Sequence, residues 1–168
     1  MKTLFLMRHA KSSWDDDDLR DVDRPLAPRG MRDARKMGKR LAKRDKKIDL
    51  ILSSPAVRAR ATAQLLAKKL GYKPKKIIVD DRLYAATERD LLAVIRALDN
   101  KLRRVILVGH NPELTALARR FSSDITQLPT SAIAEFKFDT RSWSDVAKDR
   151  LVKVARFTQK RNEKQSEH

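Results

Sequence analysis

A chain of 168 residues with 41% hydrophobic side chains has enough apolar material for one buried core and is too hydrophobic to read as disordered. It has no cysteine, which excludes a disulfide scaffold, a thiolate nucleophile and a cysteine-based zinc site, and which fits a reducing, cytoplasmic setting. The net charge of +17 favours anionic partners without choosing between nucleic acid, an acidic protein and a phosphorylated small molecule.

The charge is unevenly placed. Residues 32–47 hold nine basic side chains against two acidic ones, whereas Asp15 to Asp18 form an acidic run. Two tyrosines and two tryptophans leave few of the stacking platforms that a single-strand binder needs, so nucleic acid is not the expected partner. The first apolar run, Leu4 to Met7, is cut by Arg8 and is too short for a signal peptide or a membrane span.

In chain order, residues 3–7 suit a buried strand. A polar, aspartate-rich stretch follows as far as Pro28 and Gly30. Ala34, Met37, Leu41 and Ala42 then recur at helical spacing over residues 31–46. Residues 48–52 form a second strand. Ser54 and Pro55 read as the N-cap and first residue of a helix that ends at Gly71. A short strand at 77–79, a helix at 87–98 and a strand at 104–108 come next, and a helix opens at Asn111-Pro112. Residues 133–138 and 151–157 alternate apolar and polar positions and read as less buried strands. This rhythm predicts a three-layer α/β/α sandwich with a mostly parallel sheet, one domain over residues 1–157, and a polar, flexible tail over 158–168.

In such sheets the site lies beyond the carboxyl ends of the strands. Three ends carry informative residues. The first delivers Arg8 and His9, the second Ser53, Ser54 and Arg58, and the fourth Gly109, His110 and Asn111. Singly these are weak signals, because a lone histidine after a strand is more often a boundary residue. Jointly, two guanidiniums and two imidazoles suit phosphoryl transfer: the forks bind phosphate oxygens, and a neutral imidazole nitrogen is a competent nucleophile. Helix N-termini near Ser54 and Asn111 add backbone donors. Lys11, Ser12 and Arg20 are placed at the rim. No metal-ligand spacing is present, and no cofactor is expected.

Met7-Arg8-His9-Ala10-Lys11-Ser12-Ser13-Trp14, Asp23-Arg24-Pro25-Leu26 with Arg29-Gly30, Ser53-Ser54-Pro55-Ala56-Val57-Arg58 and Val108-Gly109-His110-Asn111-Pro112 together resemble the histidine phosphatase superfamily, in its small SixA-type branch. The resemblance implies a phosphoglycerate mutase-like sandwich with a mixed sheet. It also implies metal-free chemistry with His9 as nucleophile, Arg8 and Arg58 on the phosphate, and His110 as the second histidine. Ala10 stands where the superfamily motif has glycine. Larger members take a proton donor from the region after the third strand, where this chain has Asp81, Glu88 and Asp90; Glu88 is the expected acid.

The expected activity is hydrolysis of phosphohistidine on proteins through a phosphorylated His9. A general phosphomonoesterase is the first alternative, and a noncatalytic phosphate- or nucleic-acid-binding protein the second. No membrane partner is expected, and a monomer is favoured.

Overall fold

The computed structural model describes residues 1–44, 47–159 and the backbone of 162–167. Strand β1 (Lys2–Arg8) is apolar on both sides, so it must be covered twice. Leu4 and Leu6 point into one core, and Phe5 and Met7 into another. Strand β4 (Arg104–Gly109) divides in the same way, with Val105 and Leu107 on the first side and Ile106 and Val108 on the second. Helices α1 (Pro28–Arg44) and α2 (Val57–Leu70) cover the Phe5 side. Helices α3 (Glu88–Arg96) and α4 (Glu113–Phe121) cover the Leu4 side. The result is the expected α/β/α sandwich.

The strands form one sheet with β2 (Leu50–Ser53), β3 (Ile78–Val79), β5 (Ile133–Phe138), β6 (Leu151–Phe157) and β7 (Asn162–Glu167), in the order β3-β2-β4-β1-β5-β6-β7. The first four in that order are mutually parallel, β5 is antiparallel to β1, and β6 and β7 continue antiparallel. Five of the seven therefore run the same way. Strands β1, β2 and β4 end side by side, Arg8 opposite Gly109 and Ser53 opposite Val108, which brings the three informative strand ends together.

Several boundaries differ from the sequence reading. Helix α1 begins at Pro28 because proline tolerates the first helical position, and positions 45 and 46 of the expected helix lie outside the described residues. Helix α2 starts at Val57 with Ala56 as N-cap, and Gly71 closes it in the left-handed conformation (φ 70°). One polar position of β5 does not face water: Glu135 is buried beneath α1 and accepts from Arg44 at 2.8 Å. Residues 162–167 pair with β6 as a strand rather than trailing as a free tail, while residues 160, 161 and 168 lie outside the described residues. No helix among the described residues is long and apolar enough to cross a membrane.

Candidate active site

The backbone of His9 is anchored on both sides, donating to the Gly109 carbonyl at 3.0 Å and accepting from the Ser131 N–H at 3.1 Å. Its Nδ1 lies 2.7 Å from the Ala10 carbonyl. A carbonyl only accepts, so Nδ1 carries the proton and Nε2 keeps its lone pair on the cavity side. Burial pulls the imidazole pKa down to about 4, with Arg58 and Arg8 adding to the effect and the Ala10 bond opposing it. At neutral pH His9 is an uncharged imidazole with its unprotonated nitrogen fixed in direction.

His110 faces it, ring centroids 5.1 Å apart. Its Nε2 is 2.7 Å from Ser54 Oγ, and Arg58 Nη2 approaches its Nδ1 at 3.5 Å. Because the guanidinium can only donate, the network assigns the proton to Nε2, with Ser54 as acceptor. Burial is the main cause that lowers His110 to about 3, followed by His9 and Arg58. Ser54 also accepts from the Ala56 N–H at 3.2 Å, so it holds the entry to α2 and the second histidine at once.

Arg58 is buried on the first turn of α2 and sends Nε toward His9 Nε2 at 3.4 Å. Its other nitrogens reach Asp21, Nη1 to the carbonyl at 2.6 Å and Nη2 to the carboxylate at 3.0 Å. Asp21 is a hub, since the same carboxylate also accepts from Tyr84 Oη at 2.7 Å and Arg24 Nη1 at 3.0 Å. The Tyr84 bond, with help from Arg58, holds its pKa at about 2. Arg8 is half-buried. It donates to the Leu128 carbonyl at 3.3 Å, and its buried Nε has no partner among the described residues. An orphaned buried guanidine N–H beside a second arginine is a strong invitation to an anion.

Arg8, His9, Arg58 and His110 open on one cavity of about 770 Å³, which Lys11, Ser12 and Asn111 also line. The amide of Asn111 is committed to the chain: Nδ2 donates to Leu128 and Oδ1 accepts from Thr115 N–H and Oγ1. Helix α4 takes Pro112, not Asn111, as its N-cap residue.

Two expected site residues lie elsewhere. Arg20 is exposed and paired with Asp23 at 3.0 Å, away from the cavity. Glu88 opens α3, where its carboxylate is 3.7 Å from Arg120 and does not line the cavity. Asp81 is exposed, and Asp90 is spent on a capping box with Thr87. Two carboxylates do line the cavity, Asp21, held ionised by its partners, and Glu113 on α4, buried and with its pKa raised chiefly by that burial. Sequence reasoning also passed over Asp21, Tyr84 and the Arg24–Trp14 pair. Only Arg24 and Trp14 carried a signal, standing inside motifs whose physical role was not evident.

The structure supplies that role. Gly30 sits where an added Cβ would lie 2.1 Å from the Lys11 carbonyl, so glycine is required for α1 to meet the 11–14 segment. Ala27 donates to the same carbonyl, and Leu26 and Ala34 pack on Ala10. Ala10 itself donates to Thr62 Oγ1 at 3.0 Å, and the left-handed non-glycine residues among those described are Ala85 and Ser131. Alanine at that position therefore carries no backbone strain. Among the described residues no three His, Cys, Asp or Glu side chains gather to hold a metal ion.

Residues 4–85 match the histidine phosphatase superfamily (branch 1). An uncharacterized protein of Mycobacterium tuberculosis is 35% identical over 151 residues, covering 83% of this chain and 91% of that protein. Among solved structures, a SixA-type protein of Agrobacterium tumefaciens is 33% identical with a TM-score of 0.74, covering 82% and 92% of the two chains. The protein histidine phosphatase SixA complexed with tungstate is 27% identical with a TM-score of 0.73, covering 82% and 88%. The fold and the cavity define a phosphatase. The chain belongs to the histidine phosphatase superfamily, in its SixA-type branch.

Proposed function

We propose that this phosphatase hydrolyses phosphohistidine on proteins through a covalent phosphohistidine at His9. The observation that carries the reading is the commitment of His9 Nδ1–H to the Ala10 carbonyl, which leaves a neutral Nε2 in the same cavity as Arg8, Arg58 and His110. A phosphoryl group enters with its oxygens on the two guanidiniums, and His110 donates to the same group from Nδ1 once the bound anion has drawn a proton onto it. His9 Nε2 forms the P–N bond in line as the bond to the leaving group breaks. Water then attacks the phosphorus of phospho-His9, returns the lone pair to Nε2 and releases inorganic phosphate.

Two considerations favour a phosphohistidine substrate. Its imidazole takes up a proton from solvent before the P–N bond breaks, so a site without a dedicated acid still turns it over. The similarity to the tungstate-bound protein histidine phosphatase points the same way. With oxygen leaving groups the proton donor in this reading is Glu113, in place of the expected Glu88.

The test is rapid quenching with a ³²P-labelled substrate into alkaline detergent, which preserves histidine-linked phosphate. Label on the wild type and none on a folded His9→Ala protein is the expected result. Undiminished turnover by His9→Ala would overturn the mechanism. Faster turnover of sugar or nucleotide phosphates than of a phosphohistidine peptide would replace the substrate class.

A further inference from the structure

Trp14 is an exposed aromatic beside a strongly polar site. It lines the cavity yet is 71% exposed, whereas the other tryptophan, Trp143, is wholly buried. Its position is nevertheless fixed. The Arg24 guanidinium lies against one face of the indole, 3.2 Å from the ring centroid. That arginine is in turn immobilised: Nη1 donates to Asp21 at 3.0 Å, Nη2 to Ser12 Oγ, and Nε to the Ser13 carbonyl at 3.3 Å. Only 9% of its side chain reaches solvent. The backbone on either side is pinned as well, Ser13 N–H to the Pro25 carbonyl and Ala27 N–H to the Lys11 carbonyl, each at 2.9 Å.

A buried arginine held by three polar anchors is an expensive way to support a residue that stands 71% exposed. An indole serving only to cover Arg24 would bury its own area in doing so. Here the chain Asp21–Arg24–Trp14 presents a rigid, flat, open ring at the mouth of the cavity. The same Asp21 carboxylate positions Arg58, so the ring and the phosphate clamp share one anchor.

We propose that the free face of Trp14 is a stacking platform for the leaving group, selecting phosphorylated substrates whose phosphate is attached to a flat ring over those attached to an alkyl chain. The proposal rests on the phosphatase reading of the cavity and specifies what that cavity prefers. An imidazole or phenyl ring leaving in line from His9 would lie over the indole, while a glycerol or serine chain would gain little there. Trp14 acts on specificity and takes no part in bond making.

Two nonhydrolysable ligands test this without chemistry. Phenylphosphonate and methylphosphonate offer the same anion to the arginines and differ in the ring. As competitive inhibitors of the wild-type enzyme, phenylphosphonate is expected to bind about tenfold more tightly, the size of effect that one aromatic contact provides. In Trp14→Ala the two become equal while methylphosphonate is unchanged, and Trp14→Phe keeps most of the gap. Phenylphosphonate also shields the exposed Trp14 of the wild type from acrylamide quenching, with buried Trp143 as the internal reference. A gap that persists in Trp14→Ala, no gap in the wild type, or equal weakening of both ligands overturns the platform. Failure of the ³²P trapping at His9 would instead remove the mechanism and leave this result standing.

Discussion

The floor of the cavity comes from strand ends, whereas much of its wall comes from the stretch between β1 and α1, whose one helical turn is the 3-10 turn at Asp21–Asp23. On the floor, His9 and His110 are buried, neutral and fixed by one short bond each to Ala10 and Ser54. In the wall, Asp21 is about half exposed and fully ionised, and it works by gathering Arg58, Arg24 and Tyr84 around one carboxylate. The floor needs desolvation to keep its imidazoles uncharged; the wall needs charge to hold its guanidiniums in register. Each region would fail under the conditions that suit the other. Substitutions therefore separate them.

The floor carries the larger effect. Replacing His9 by alanine removes the proposed nucleophile and is expected to lower kcat by roughly a thousandfold or more, as loss of a covalent catalyst does. In the wall, Asp21→Asn keeps the shape but removes the charge that orients Arg58. We expect a fall in kcat/KM of about tenfold, some 1.4 kcal/mol, for every phosphate substrate alike. Steady-state kinetics on ring and alkyl phosphates would check this. An effect confined to ring substrates would show that Asp21 serves Trp14 alone.

This division also explains what could be read from the sequence. Strands β1 and β4 announce themselves as short apolar runs, and the residues just beyond them, His9 and His110, inherit their position from the sheet. Arg58, the proposed phosphate ligand, follows β2 for the same reason. Asp21 depends on contacts with Arg58 and Tyr84, 37 and 63 residues away, in a stretch with no periodicity to place it. Arg20, one position earlier, is chemically the more obvious phosphate ligand, and the chain turns it outward onto Asp23. Ser54 illustrates a related limit. Its serine-proline context reads as a helix cap, but the helix begins three residues later and the hydroxyl is shared with His110. Glu88 fell to the same ambiguity, since a carboxylate at a helix N-terminus satisfies the dipole whether or not it faces a site.

Lowering the pH separates the two regions by stability. Both floor histidines have folded pKa values below the ordinary 6.5, about 4 for His9 and about 3 for His110. The unfolded chain therefore binds more protons as the pH falls below 6.5, and stability declines through that window toward pH 4 and below. Above 6.5 these two groups add no slope. Asp21 behaves in the opposite sense to a raised acid: its folded value of about 2 lies below the ordinary 3.8, so its contribution is intact above 3.8 and is lost as the pH drops toward 2. Urea unfolding between pH 7 and 4.5 thus leaves Asp21 silent and reports the floor histidines against Glu113, whose raised pKa opposes their slope. Replacing both histidines is expected to flatten that slope, and Asp21→Asn to leave it unchanged. Imidazole NMR would show two rings still neutral at pH 5.

The smallest expected effect decides which carboxylate serves the leaving group. Glu113 lies in the cavity lining at the start of α4, where burial raises its pKa while N–H groups of its own residue and Ala86 pull the other way. A carboxyl raised in this way is protonated at a higher pH than an exposed one and is therefore better able to donate. Alkyl phosphates need that proton, because an alkoxide leaves poorly. Phosphohistidine does not, since its own ring is protonated first. Glu113→Gln is accordingly expected to lower kcat on glycerol phosphate by several-fold, on the order of 1 kcal/mol, and to leave phosphohistidine turnover within a factor of two. Glu88→Gln, which disturbs only the surface pair with Arg120, should change neither. Equal losses on both substrates in Glu113→Gln would make this residue a structural link between α4 and the turn at Ala86. A loss on glycerol phosphate in Glu88→Gln would return the acid to α3.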